Sequence, residues 1–162
     1  LSRHDLTLDG FSHTPYLRHM AKPDPALLAP ERYPFCYRIE PRFGDLDVNM
    51  HINNVAMASM LEESHVRFHR ASGYTNGLAG LSSMVASITI DYLAQGAYPE
   101  PITFHVATMS VGRTSHVLAR LATQGERIIV FSSAVIVTVG PEGPMPIPET
   151  FLAQKDQWML RP

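Results

Sequence analysis

Within ten residues the chain gathers two carboxylates, one imidazole and three side-chain amides, in the order Asp45-Leu46-Asp47-Val48-Asn49-Met50-His51-Ile52-Asn53-Asn54. The following run from Val55 to Glu63 is rich in Ala, Met, Leu and Glu, which favours helix. Asn53 or Asn54 is a suitable N-cap, its side-chain oxygen accepting a backbone N–H of the first turn. A helix start presents unpaired N–H donors and partial positive charge, which suits a carbonyl oxygen gaining negative charge. Asp47 stands one loop away from that point. Asp47 is also a good turn former, because Asp bonds its own local backbone. Asp45 reads as a structural partner of Arg42.

The other ionisable residues have structural readings beside their chemical ones. His51 can carry protons near neutral pH, but next to a helix start it reads as a hydrogen-bonding brace. Glu63 and Arg67 have the i, i+4 spacing of a helix-surface ion pair. Glu62, His65 and His69 fall at i, i+3 and i+7 on one helical face, and two histidines with a carboxylate are a known ligand set. In a chain with eight histidines such spacing arises readily by chance. No CxxC, HExxH or nucleotide-binding glycine fingerprint accompanies it, so no metal is expected.

These residues need elements to position them. Phe35, Tyr37 and Ile39 alternate with Cys36, Arg38 and Glu40, a half-buried strand that Pro41 should stop. A helix is predicted from about Asn54 to Ser72, roughly 28 Å long, with Gly73 just past its end. Met84 to Tyr92 alternates as a strand, Ile102 to Val111 forms another, and Val117, Ala119 and Leu121 are the apolar side of a third. Ile128 to Val139 is almost continuously apolar and reads as a central strand covered on both faces. Turns at Gly112-Arg113 and Gln124-Gly125 make these strands antiparallel. The proline-rich stretch from Gly140 to Pro148 should end the sheet. A short helix over about Glu149 to Gln157 should pack Phe151, Leu152 and Trp158 on the body.

Residues 1–32, with Pro15, Pro23, Pro25 and Pro30, read as an extension that packs on or trails from the body. The division is therefore 1–32, a body over 33–140, and a closing segment over 141–162. Strand, long helix, then four strands imply an α+β fold, an antiparallel five-stranded sheet wrapped around one central helix. One helix covers one sheet face, so the other face or an edge is expected to meet a second subunit.

Composition narrows the function. At 162 residues and 45% apolar content the chain is one domain with a substantial core. A net charge of −2 and a pI near 6.5 leave no basic footprint for nucleic acid. The single cysteine, Cys36, excludes an internal disulfide framework and fits a reducing, cytoplasmic compartment. No apolar run reaches the ~18 residues of a membrane helix.

The run from Arg42 to Asn54, with Glu62 in the helix behind it, resembles the motif of the hotdog-fold acyl-CoA thioesterases of the 4-hydroxybenzoyl-CoA thioesterase type. That motif reads Arg-Trp-x-Asp-x-Asp-x-x-Gly-His-Val-Asn-Asn, followed by a long helix carrying Glu. Arg42, Asp45, Asp47, His51, Asn53, Asn54 and Glu62 match. Met50 replaces Gly, Met57 stands where Tyr is frequent, and His65 where Arg is common. The resemblance continues more weakly from about Tyr33 to Pro148. It implies a hotdog homodimer or homotetramer that hydrolyses a small-molecule acyl-CoA to acid and CoA with no cofactor. It implies Asp47 as nucleophile or general base, the Asn54 backbone N–H on the carbonyl oxygen, and Glu62 as a helical carboxylate facing a partner's site. Arg113, with Ser115 in the same turn, resembles a position near the CoA-binding edge, although an exposed hairpin arginine is commonly just solvated.

Two other readings compete with hydrolysis. Hotdog hydratases carry Asp-x-Asn-Pro-x-His, whereas Asp47-Val48-Asn49-Met50-His51 is one residue short and lacks the proline. A non-catalytic acyl-CoA-binding hotdog is kept open by Met50 and Met57.

Overall fold

The computed structural model describes residues 22–162, so the expectation for residues 1–21 of the extension lies outside the described residues. The elements in chain order are β1 (Phe35–Ile39), α1 (Asn54–Ala71), β2 (Ser82–Tyr92), β3 (Ile102–Val111), β4 (Ser115–Gln124), β5 (Arg127–Gly140) and β6 (Gly143–Pro144). Two short helices follow, α2 (Glu149–Leu152) and α3 (Lys155–Trp158). The antiparallel sheet has the spatial order β1-β3-β4-β5-β2, and α1 packs on its inner face. This is the α+β hotdog arrangement that the element order predicts.

The helix forms where an apolar stripe recurs every three or four residues: Met57, Met60, Leu61, Ser64, His65, Phe68 and His69 are its buried face. Asn53, not Asn54, is the N-cap, its Oδ1 accepting the Ala56 N–H at 2.7 Å. At the other end Ser72 closes the helix, and Gly73 turns the chain at φ +73°, a conformation that suits glycine. The C-terminal segment then satisfies carbonyls at that end. Gln154 Nε2 donates to Ser72 O at 3.0 Å and Thr150 Oγ1 to Gly73 O at 2.8 Å.

Between helix and sheet lie two apolar clusters. One gathers Met57, Leu61, Phe104 and Ile129 near the helix start; the other gathers Phe68, Tyr74, Leu118 and Phe151 near its end. Part of the outer sheet face, over β3, β4 and β5, is covered by the same chain. Tyr33 packs with Ala119, Leu121 and Phe131, and Leu27, Leu28 and Leu160 join them. The Tyr33 hydroxyl donates to Leu27 O at 2.6 Å, and Arg161 N donates to Arg32 O at 2.9 Å. Leu27, Leu28 and Arg32 therefore tie this stretch to the body, while Asp24 to Ala26 stay exposed.

Three expectations need correction. The proline-rich stretch does not end the sheet at once, because β6 pairs with β5 through Val139 and Gly140. The final helix is two short ones, broken at Ala153 and Gln154. β4 has no solvent-facing side, since His116, Leu118, Arg120 and Ala122 are buried under α1 as firmly as Ala119 and Leu121 are on the other side. The edge strand β2 stays open, with Met84, Val85, Ile88 and Tyr92 exposed.

Candidate active site

Residues 46–52 fold back on themselves, bridging Leu46 to Ile52 just ahead of α1. Asp47 N donates to His51 O at 2.8 Å and Met50 N to Asp47 O at 3.0 Å. The Asp47 carboxylate braces the same loop, with Oδ1 accepting the Asn49 N–H at 2.8 Å and the His51 N–H at 3.1 Å. One oxygen of Asp47 thus orders the turn, and the residue is half-buried beside a cavity. Met50 holds the left-handed conformation, φ +62°, that a glycine adopts at no steric cost. Met50 therefore holds, at the expense of local strain, a backbone conformation that the glycine of the motif could adopt freely.

Asp45 does not pair with the Arg42 side chain. Its Oδ2 accepts the Arg42 backbone N–H at 2.6 Å, and its carbonyl oxygen accepts from both the backbone N and the Nδ2 of Asn53, each at 2.9 Å. The structural partnership with Arg42 is thus made through the backbone, and Asp45 also clamps the N-cap in place. The next residue, Asn54, opens the helix, so its N–H has no intrahelical acceptor.

Asp47, Asn49, His51, Asn54 and Met57 line a cavity of about 280 Å³. Its other wall is Tyr92 with residues 93–96, and the Tyr92 hydroxyl donates to Asn54 O at 3.1 Å. His51 contributes to the brace through its backbone, and the residue is half-buried in the cavity lining. No motif in the sequence marks the far wall, residues 92–96, where the Gly96 carbonyl oxygen accepts the Ile52 N–H at 3.0 Å.

Glu62 is not in this cavity. It lines a separate groove of about 460 Å³ with His65, Val66, His69, Thr75, Leu78 and Ser83 to Val85, between α1 and the β2 edge. Its carboxylate meets His65 Nδ1 at 3.3 Å, and His69 Nε2 faces His116 Nε2 at 2.8 Å. Glu63 pairs with Arg67 as the spacing predicts, at 2.6 Å, and the Arg67 guanidinium lies over the Tyr37 ring. Beneath this cluster sits Arg120, wholly buried, donating to Ser132 Oγ at 2.7 Å and lying 3.4 Å from Leu61 O.

Burial governs the charge states here. It pushes His116 down to about 4, with His65 adding repulsion, and pulls His69 well below its ordinary value. His65 is lowered by burial first, which outweighs the attraction of Glu62, while Arg120 repels its proton. Burial also lowers Arg120 to about 10, which leaves it charged at neutral pH. His69 and His116 are thus neutral bases sharing one N–H···N bond. Among the described residues no group of three or more His, Cys, Asp or Glu side chains gathers in a way that could hold a metal ion.

Arg113 and Ser115 lie in and beside the β3–β4 turn, at the opposite end of β4 from the cavity wall, roughly 30 Å of strand away. One chain does not bring them to Asp47. Among the described residues no helix is long and apolar enough to cross a membrane.

Comparison with known proteins matches this geometry to a family. The sequence profile of the thioesterase-like superfamily fits residues 41–154. The uncharacterized protein YsmA of Bacillus subtilis (strain 168) is 28% identical over 105 residues, 65% of this chain and 71% of that protein. Among solved structures, a thioesterase complexed with coenzyme A and Zn from Thermus thermophilus is 28% identical, with a TM-score of 0.70 over 82% of this chain and 98% of its own. The gentisyl-coenzyme A thioesterase BH1999, 16% identical with a TM-score of 0.67 over 75% of this chain and 99% of its own, shares the fold. The profile spans the Asp45–Asn54 loop, α1 and strands β2 to β6, so this chain belongs to the thioesterase-like superfamily and is a thioester hydrolase of the hotdog fold.

Proposed function

We propose that the thioester is an acyl-CoA, hydrolysed to the free acid and CoA in the cavity between Asp47 and the start of α1. The observation that carries this reading is the shared cavity, lined both by a carboxylate braced through one oxygen and by Asn54, the first residue of α1, whose N–H has no intrahelical acceptor. The Asn54 N–H takes the thioester carbonyl oxygen, which gains negative charge as the carbon becomes tetrahedral. Asp47 then acts in one of two ways. It attacks the carbonyl carbon, expelling CoA thiolate and leaving a mixed anhydride that water cleaves, or it removes a proton from water that attacks directly. No metal or redox group is needed for either route. The coenzyme A bound by the Thermus thermophilus relative supports CoA as the carrier.

The protein acts as a homo-oligomer, at least a dimer. Support comes from β2, an unpaired edge with exposed Met84, Val85 and Ile88, while Tyr33, Leu27 and Leu28 cover the outer face over β3 to β5. Glu62, Arg113 and Ser115, distant from Asp47 within one chain, could contribute to the reaction only from the second copy. The site is tested by incubating the protein with a panel of acyl-CoAs and a thiol reagent. Catalytic release of free CoA supports hydrolysis; tight binding of an acyl-CoA without release would replace it with the non-catalytic binding reading.

A further inference from the structure

The wall opposite Asp47, residues 93–97, belongs to no strand or helix, yet it is tied down at several points. Leu93 N and Ala94 N both donate to Ile129 O, at 2.9 and 3.1 Å. The remaining ties come from one side chain at the end of β4, Gln124, which is 3% exposed. Its Nε2 donates to Ala97 O and to Glu100 O, each at 2.7 Å, and its Oε1 accepts the Ala97 N–H at 2.8 Å. Arg127 also reaches Oε1, at 3.2 Å. A buried primary amide with both ends used is a rigid fastening, because losing it leaves two carbonyls and an N–H of the loop without their partners.

What the fastening holds is the entry to the helix. Gly96 O, one residue from the Gln124 contact, accepts the Ile52 N–H at 3.0 Å. Ile52 is two residues from Asn54. Contact there is tight, since a Cβ on Gly96 would lie 3.0 Å from Ile52 Cγ1 and 3.2 Å from its Cβ. A continuous line of bonds therefore runs from β4 through Gln124, Ala97 and Gly96 to Ile52 and the first turn of α1.

We propose that Gln124 is a positioning residue for the hydrolytic site, holding residues 93–97 so that Gly96 fixes Ile52 and, through it, the Asn54 N–H that receives the carbonyl oxygen. The proposal rests on the thioesterase reading for its kinetic consequence but not for its structural one. Gln124 touches no substrate. Its effect is on the aim of a donor that matters most in the transition state, and misplacing such a group by about 1 Å costs up to about a hundredfold in rate.

The test uses Gln124→Leu, similar in size and without hydrogen bonds, in two measurements on the intact chain. Amide hydrogen exchange should quicken at Ile52 while the β4 and β5 amides keep their protection. In acyl-CoA hydrolysis, kcat should fall by about ten- to a hundredfold with little change in KM, measured per folded molecule because loss of folded protein lowers the apparent kcat in the same way. Unchanged exchange at Ile52, or unchanged kcat in folded variant, overturns the proposal. If Gln124→Leu does not fold, Gly96→Ala disturbs the same contact from the loop side; it should lower kcat likewise, and wild-type kcat in that variant counts against the proposal. Should wild type release CoA from no substrate, the thioesterase reading falls, and the Ile52 exchange alone decides whether Gln124 holds the site.

Discussion

Acid should loosen the seam between α1 and β4, and His116 sets the scale. In the folded protein its proton affinity is pushed from the ordinary 6.5 down to about 4, first by burial and then by His65. The unfolded chain keeps the ordinary value, so below pH 6.5 it takes up a proton that the folded state refuses. Stability is therefore complete above pH 6.5 and is lost as the pH falls from there to about 4. The gap amounts to about 3 kcal/mol at about 1.4 kcal/mol per unit, a large part of a domain's typical 5–15 kcal/mol. His69 and His65 are shifted in the same direction by burial and add to the slope. The charged groups facing the cluster are Glu62 from α1, which attracts a proton to His65, and Arg120 from β4, which repels it. Urea unfolding at half-unit steps from pH 7 to 4 measures the loss. His116→Phe keeps a ring against Tyr74 and Phe151 and removes one titration; its stability should decline less steeply by up to about 1.4 kcal/mol per pH unit. Parallel pH curves for the two proteins would refute the assignment.

Other outcomes follow from the same geometry. Met50→Gly relieves a left-handed backbone at φ +62°; strain of about 1–2 kcal/mol, less the greater freedom of glycine in the unfolded chain, predicts a net gain of roughly 0.5–1 kcal/mol by chemical denaturation. Light scattering at micromolar concentration should return a multiple of the 18.0 kDa chain mass, and a clean monomer would remove the β2-edge assembly. Exhaustive chelation should leave both melting and CoA release unchanged, because Glu62, His65 and His69 are engaged with one another and with His116; activity lost on chelation and restored by zinc or iron would show otherwise.

Local signals carry most of the fold. The asparagine pair and Gly73 bracket α1 because capping and left-handed turns depend on a few neighbouring residues, and strict alternation marks β1 and β2. The Glu63–Arg67 pair is likewise a matter of helical spacing. What escapes a sequence reading depends on contacts distant along the chain. Arg120 and His116 interrupt an apolar run, and only the arrival of α1 turns them into a buried cluster. Gln124 reads as half of a turn, because its partners Ala97 and Glu100 lie 27 and 24 residues away. Asp45 reads as a structural partner of Arg42, but the sequence does not say that the bond runs to the Arg42 backbone N–H and not to its guanidinium. The separation of Glu62 from Asp47 is invisible in a motif that places them in one line, since the helix carries Glu62 toward β2 and away from the loop.

The most direct test of the account is the steady-state rate of Asp47→Asn on whichever acyl-CoA the wild type cleaves fastest. The amide keeps the shape of the side chain and an oxygen to accept the Asn49 and His51 N–H groups, so folding should be spared while attack or proton removal is lost. General-base assistance contributes about 10²–10⁴ in rate, and kcat should fall at least about a hundredfold with the melting temperature nearly unchanged. Asp45→Asn, which weakens the clamp on Arg42, should lower stability more than the rate of the folded fraction. An Asp47→Asn enzyme that keeps most of its kcat while Glu62→Gln loses it would contradict the account and move the chemistry to the helical carboxylate.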